Sequence, residues 1–211
     1  MINRPFFFDH IKTELFGGTL KPSQVSGLTY ILDCWEKDHA SWDDRWLAYA
    51  LGTTHLETGA AMQPINEKGG TSYFEKNYGP NGHNPKRAKK MGNTHPGDGA
   101  KYRGRGFVQL TWEVNYDAMA KHLTTSFAKT VDLVNKPELA LQPDYAAEIM
   151  FYGMSTGTFT GRKFSNYFTK TAAGKPAKDD WVGARAIING NDKAAIIAGF
   201  GKKYYGAISY L

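Results

Sequence analysis

The sequence predicts a mainly α-helical fold with a loop-rich middle region. Three observations predict it. Apolar residues recur at the three-to-four spacing of helix faces on both sides of the middle. No run of residues alternates apolar and polar as half-buried strands do. Between Gln63 and Gly106 the chain is dense in Gly, Pro, Asn and Lys, which interrupt regular structure. The 211 residues, 41% hydrophobic and 14% aromatic, fit one sizeable domain or two small lobes, with a core that needs no staples.

Each element follows from local pattern. In "KPSQVSGLTYILDCWEKDH", Val25, Leu28, Ile31, Leu32 and Trp35 mark one helix face. "SWDDRWLAYALGTTHLET" reads as a second helix, with Ser41 and Asp44 as a capping-box-like start and Gly59 after its end. Inside the loop-rich middle, one short helix falls near "SYFEKNY". The aromatics Tyr73, Phe74, Tyr78 and Tyr102 favour ordered loops there. Thr111 then opens a helix through "WEVNYDAMAKHL" and is placed as its N-cap. Later helices are expected at "PDYAAEIMFYGMS", at "DDWVGARAII" and from Asp192 to Tyr210.

Composition removes several classes of function. Cys34 is the one cysteine, so an intrachain disulfide is ruled out and a Cys-based metal site is disfavoured; its apolar setting reads as a small buried hydrophobe. The three-Phe run near the start is broken at once by Asp9 and His10, too short for a secretory core. No apolar stretch approaches the roughly 20 residues of a membrane span. A protein made in the cytoplasm is expected, with release by some other agent if it works outside. His55 precedes Glu57 by two, but no HExxH follows, so neither metal nor cofactor is expected. The net charge is +6, and residues 86 to 105 hold seven Lys or Arg against one Asp. Such a surface suits any polyanion: nucleic acid, anionic membrane or anionic cell wall.

Two carboxylates carry the candidate chemistry. On a helical wheel, Ala50, Thr53 and Glu57 fall within about 40° of Trp46, so Glu57 is placed on the apolar side, with Arg45, Ala48, Gly52 and His55 facing away. A carboxyl on an apolar side is disfavoured as an anion, which prepares a general acid. The alternative is a helix-end Glu that is solvated or bound to a basic partner. Glu67 follows after Gly59 and Pro64, which forbid a continuous helix and let the chain fold back. Two carboxyls roughly 6.5–9.5 Å apart would suit inverting glycoside hydrolysis. The alternative for Glu67 is an ordinary loop charge.

Four stretches in order, "AYALGTTHLETGAAMQPINEKGG", "GNTHPGDGAKYRGRGFVQLTWEVNY", "GMSTGTFTGRKFSNYF" and "ARAIINGNDKA", resemble the family 19 glycoside hydrolases, the chitinase-like group, in the form found in phage and prophage endolysins. The resemblance runs from about residue 42 to residue 211. Residues 1–41 form an N-terminal helical segment outside these motifs, and the whole chain is expected to be one catalytic domain. By resemblance, Glu57 is the general acid, Glu67 the base that activates water, and Thr111 the hydroxyl that positions that water. Gln109, Asn115, Tyr116, Tyr102 and Asn189 are implied to line the cleft and bind substrate. One departure stands out: the family's His before the acid is replaced by Leu56. Arg103 and Arg105 occur once, followed by the apolar "FVQL". They read as structural arginines bonding loop carbonyls or nearby carboxylates, not as a repetitive nucleic-acid tract.

The resemblance implies a lysozyme-like fold of two lobes with a substrate cleft, and inverting hydrolysis of β-1,4 bonds in an aminosugar polymer. Peptidoglycan is the expected substrate, cut as a muramidase, with chitin the alternative and a catalytically weakened wall-binding module the non-enzymatic one. The expected partners are peptidoglycan strands, with basic patches for an anionic membrane or wall surface and no nucleic acid. The protein is expected to act as a monomer in the periplasm or wall after release.

Overall fold

The computed structural model describes all 211 residues. The chain forms two compact units: Met1–Gln63 with Met150–Leu211, and Pro64–Ile149. It is mainly helical, as expected. No helix is long and apolar enough to cross a membrane.

The first unit begins with helix α1 (Arg4–Phe16). Asn3 accepts the Phe6 N–H at its start, and Gly17, at φ 62°, closes its end by bonding Lys12 O. Helix α2 (Pro22–Cys34) is shorter than the periodicity suggested, because Trp35–His39 continue as one π-helical turn. Helix α3 (Asp44–Glu57) is capped by Asp43, not by Ser41: the Asp43 carboxylate accepts the Arg45 N–H at 3.1 Å. The wheel is corrected more deeply. Every residue from Leu47 to His55 is buried, as is Arg45, so α3 has no outer face above its last turn.

Helix α9 (Ala194–Ala207) covers the face reckoned as exposed. A Cβ at Gly52 would lie 2.7 Å from the Gly201 nitrogen, so two glycines let the backbones of α3 and α9 meet. Arg45 ties the start of α3 to the β-hairpin of strands β3 (Phe168–Lys170) and β4 (Pro176–Asp179). It donates to Lys178 O at 2.8 Å and to Thr169 O at 2.9 Å, and pairs with Asp43. This hairpin escaped the sequence reading because all four β4 residues are exposed and show no alternation. The stretch "DDWVGARAII" is a 3-10 helix over Gly183–Ile187 rather than an α-helix; Asp180 Oδ1 accepts the Gly183 N–H at 2.8 Å and tightens its entry. The last expected helix starts at Ala194, since Lys193 is left-handed at φ 56°.

His55, reckoned outward, is only 6% exposed. Its ring packs on Phe16 and Phe200, and its Nδ1 lies 3.0 Å from the Tyr204 hydroxyl. Burial pushes its pKa down to about 4, from 6.5. The folded state therefore prefers the neutral ring. Between pH 6.5 and 4 the unfolded chain binds the proton and the folded chain does not, so stability falls as pH falls through that window. The full loss below pH 4 is expected to be about 3 kcal/mol. Thermal melting from pH 7.5 to 4, beside His55→Gln, checks it: the variant should show a shallower acid slope, and an unchanged slope would assign the loss elsewhere.

The second unit holds the loop-rich region, ordered by few but specific contacts. Strands β1 (Ile65–Asn66) and β2 (Arg105–Gly106) pair antiparallel, with Ile65 opposite Gly106 and Asn66 opposite Arg105. Three short helices follow β1: α4 (Thr71–Tyr78), α5 (Pro85–Lys90) and α6 (Asp98–Lys101). Asn93 is wholly buried and joins them to the next helix: its amide donates to Tyr78 O at 3.0 Å and its carbonyl accepts the Glu113 N–H at 3.1 Å. Glu75 of α4 likewise accepts the N–H groups of Gly97 and Ala100 around α6. Helix α7 (Glu113–Ser126) begins two residues after Thr111. Trp112, at φ 80°, holds the cap position, so Thr111 is not the N-cap. Helix α8 (Pro143–Thr156) closes the unit and carries the chain back to the first.

Candidate active site

Glu57 and Asn189 belong to the first unit; Glu67, Tyr102, Gln109, Thr111, Asn115 and Tyr116 belong to the second. Each group is built by its own local fold.

In the first unit, Glu57 is the last residue of α3, and its side chain is 20% exposed. Its neighbour is ionic rather than apolar. Arg185, from the 3-10 helix, donates Nη1 to Glu57 Oε1 at 2.7 Å. The guanidinium is 4% exposed and is held in turn by Asp192 O, which accepts from Nε at 3.0 Å. Asn189 is placed from the same helix, its N–H bonding Arg185 O at 3.0 Å; its side chain is exposed, and its Oδ1 accepts the Gly190 N–H. Arg185 thus links the two expected residues of this unit. It lies in the stretch "ARAIING", but nothing in the spacing marked it as the partner of a carboxylate 128 positions away. His55, tied to Tyr204, does not fill the role that Leu56 vacates; the direct hydrogen bond to Glu57 comes from Arg185.

In the second unit, Glu67 directly follows β1. Its N–H bonds Gly104 O at 2.9 Å and its Oε2 accepts the Gly104 N–H at 3.0 Å, so one residue of β2's lead-in fixes both ends of the glutamate. Gly104 is buried, and a Cβ there would stand 2.9 Å from Gln109 Oε1 and 3.1 Å from Glu67 Oε2. Glu67 Oε1 accepts from the Tyr78 hydroxyl at 2.8 Å. Burial, and then that bond to Glu67, hold the Tyr78 hydroxyl well above the ordinary tyrosine range, so it remains a donor at neutral pH. Tyr78 and Gly104 were not anticipated as partners, since a loop contact of this kind leaves no periodic trace.

The "RGFVQLT" turn carries the remaining candidates. Gln109 sits at φ 57° and donates its amide to Ile65 O at 3.2 Å and Gly106 O at 3.1 Å, bracing the β1–β2 pair. Thr111 donates its hydroxyl to Gln109 O at 2.9 Å, which fixes its rotamer and leaves the oxygen able to accept from water. Asn115 is 5% exposed and donates to Thr111 O at 2.8 Å, holding the same turn from α7. Tyr116 is wholly buried: its hydroxyl donates to Arg103 O and accepts from Arg105 Nη1, both at 2.8 Å, and burial pushes it up to about 12. Tyr102, 2% exposed, lies beside it with ring centroids 5.5 Å apart. These two tyrosines support the turn from inside the unit. Arg103 and Arg105 are structural as expected, bonding the carbonyls of Ala100, Lys101 and Arg103.

No protein-family model matches the chain, and neither does any curated protein. Solved structures similar to it include a mutant of chitinase C at 18% identity and TM-score 0.46, covering 74% of this chain and 66% of that one. A bacterial family 19 chitinase, described as differing from plant enzymes, is 23% identical at TM-score 0.46 and covers 72% and 66%. Chitinase C from Streptomyces griseus HUT6037 is 18% identical at TM-score 0.45 and covers 72% and 65%. The chain spans just under two thirds of the length of these structures.

Proposed function

We propose that this protein is a glycoside hydrolase of the family 19 type, cutting β-1,4 bonds of bacterial peptidoglycan as a muramidase with inversion. The observation that carries the reading is the setting of Glu67. Its carboxylate is oriented by a backbone N–H and a tyrosine hydroxyl, on a loop braced by the same "YRGRGFVQLT" residues that carry the sequence resemblance. Glu57 gives its proton to the leaving oxygen; Glu67 takes one from water; Thr111 accepts a hydrogen bond from that water and holds it. Side chains alone supply this chemistry. Protein made in the cytoplasm would reach the wall on release, and the basic run on α5 and around Arg103 would draw it to an anionic surface.

Purified sacculi and chitin, digested side by side, test the reading. New reducing ends on N-acetylmuramic acid support it. Ends on N-acetylglucosamine, cut peptides with intact glycan, or preference for chitin would overturn it. Thr111→Val is expected to slow sacculus digestion by roughly 10–10²-fold, less than loss of either glutamate, because orientation is lost and proton transfer is kept. Thr111→Ser should retain most activity. Since Thr111 also bonds Gln109 O, melting must be followed beside activity. A fully active Val variant removes the residue from the mechanism.

A further inference from the structure

Beside Glu67 the second unit has an open hollow of about 560 Å³, lined among others by Lys68, Gly70, Thr71, Phe74 and Arg103. Two cationic side chains, Lys68 and Arg103, stand against one carboxylate in its lining. The one acidic lining residue is Glu67, and both its oxygens are engaged by Tyr78 and Gly104. Arg103 bonds only neutral acceptors, Ala100 O at 2.9 Å and Asn66 Oδ1 at 3.2 Å, and lies over the Phe74 ring at 5.5 Å. Lys68 is exposed. Behind Arg103 stands Arg105, 4% exposed, also bonded only to carbonyls and a hydroxyl, with its Nε unpartnered. Two guanidinium groups thus share a neighbourhood without an acid bonded to either. Burial and Arg105 together hold Arg103 below the ordinary arginine range. The start of α4 adds to this: Gly70 offers no capping side chain and the first turn has no acid, so its N–H groups and positive dipole end stand at the rim.

We propose that this hollow binds a carboxylate of the peptide carried by a muramyl sugar next to the cut bond, and that Lys68 and Arg103 thereby make the enzyme select peptide-bearing peptidoglycan over neutral N-acetylglucosamine chains. The inference rests on the hydrolase reading above. An arginine fork pairs a carboxylate with directional bonds, the lysine adds a movable charge, and a neutral chitin chain offers neither group a partner.

The test uses a wall tetrasaccharide carrying its acidic tripeptides, the same compound with its carboxylates methyl-esterified, and chitotetraose. Titrated into Glu57→Gln protein and followed by amide NMR, the acid form should bind roughly tenfold more tightly than the ester and shift the amides of residues 68 to 71. Lys68→Gln, on the surface and harmless to folding, should remove much of that difference. Arg103→Gln should remove more, with its melting followed beside binding because Arg103 also bonds Ala100 O and Asn66 Oδ1; ester and chitotetraose binding should be unchanged in Lys68→Gln. Equal affinity for acid and ester, or shifts confined elsewhere, overturns the proposal. Cleavage by the unaltered protein separates the two readings: if acid and ester glycans are cut equally, the anion site fails and the hydrolase stands. If no glycan is cut, the hydrolase reading fails as well.

Discussion

Glu57→Gln is expected to stop glycan hydrolysis while leaving the protein folded. Under the proposed function Glu57 is the general acid, and losing it is worth roughly 10²–10⁴ in rate. The fold survives because the Gln amide oxygen can still accept from Arg185, which sits 2.7 Å away and is 4% exposed. Glu57→Ala should behave differently, since it strands a buried guanidinium, and breaking a buried pair costs about 3–5 kcal/mol. Release of reducing ends from sacculi, paired with thermal melting of both variants, distinguishes lost chemistry from lost structure. Retention of more than about a tenth of the activity in the Gln variant would show that Glu57 is not the acid.

The largest expected loss of stability comes from Gly27→Ala. A Cβ at Gly27 would lie 1.6 Å from Met62 O and 2.8 Å from Met62 C, both backbone atoms that cannot swing aside. Gly27 is buried in α2, and the turn it meets is the one that leaves α3 just after Glu57. That turn is itself constrained: Gly59, Ala60 and Met62 all have positive φ, Gln24 bonds Ala60 O at 2.8 Å, and Gln63 bonds Ser23 O. Overpacking of this kind is expected to cost upward of about 3 kcal/mol, because backbone must separate from backbone. Gly199→Ala is the control. It places the same methyl on α9 with nothing within 4 Å, and should be neutral or stabilising by up to about 1 kcal/mol. Denaturant melts of the two variants decide it; similar midpoints would mean that α2 and the turn can part freely.

That contact shows what sequence reasoning could and could not reach. Helix α2 was legible from Val25, Leu28 and Ile31, and α8 from its apolar run, because a helix face repeats. The role of residues 1–41 was not legible. They carry none of the motifs, yet α2 supplies the surface on which the segment after Glu57 is folded. A glycine in an amphipathic helix looks like a weak point until the backbone that crosses it is known. The wheel failed on α3 for a related reason: it assumes one dry side, and α9 gives the helix a second. Glu67 was singled out through its motif neighbours, whereas Tyr78 and Arg185, whose side chains bond the two glutamates, were not. Their pairing depends on loop paths that no local period encodes.

The contact between α3 and α9 has a consequence for the order of events during synthesis. The first unit is discontinuous in the chain, and the second is one uninterrupted stretch, Pro64–Ile149. On the ribosome, α3 emerges without the helix that covers it, and waits through all of Pro64–Ile149 before α9 is made. The stretch between can gather its own short-range contacts in the meantime. Arg185 also arrives late, so the nascent chain carries Glu57 without its ionic partner until translation has passed well beyond the second unit. Pairing of the candidate acid therefore waits until Arg185 has been made, and a ribosome stalled before Arg185 holds a chain whose candidate acid has yet to be set.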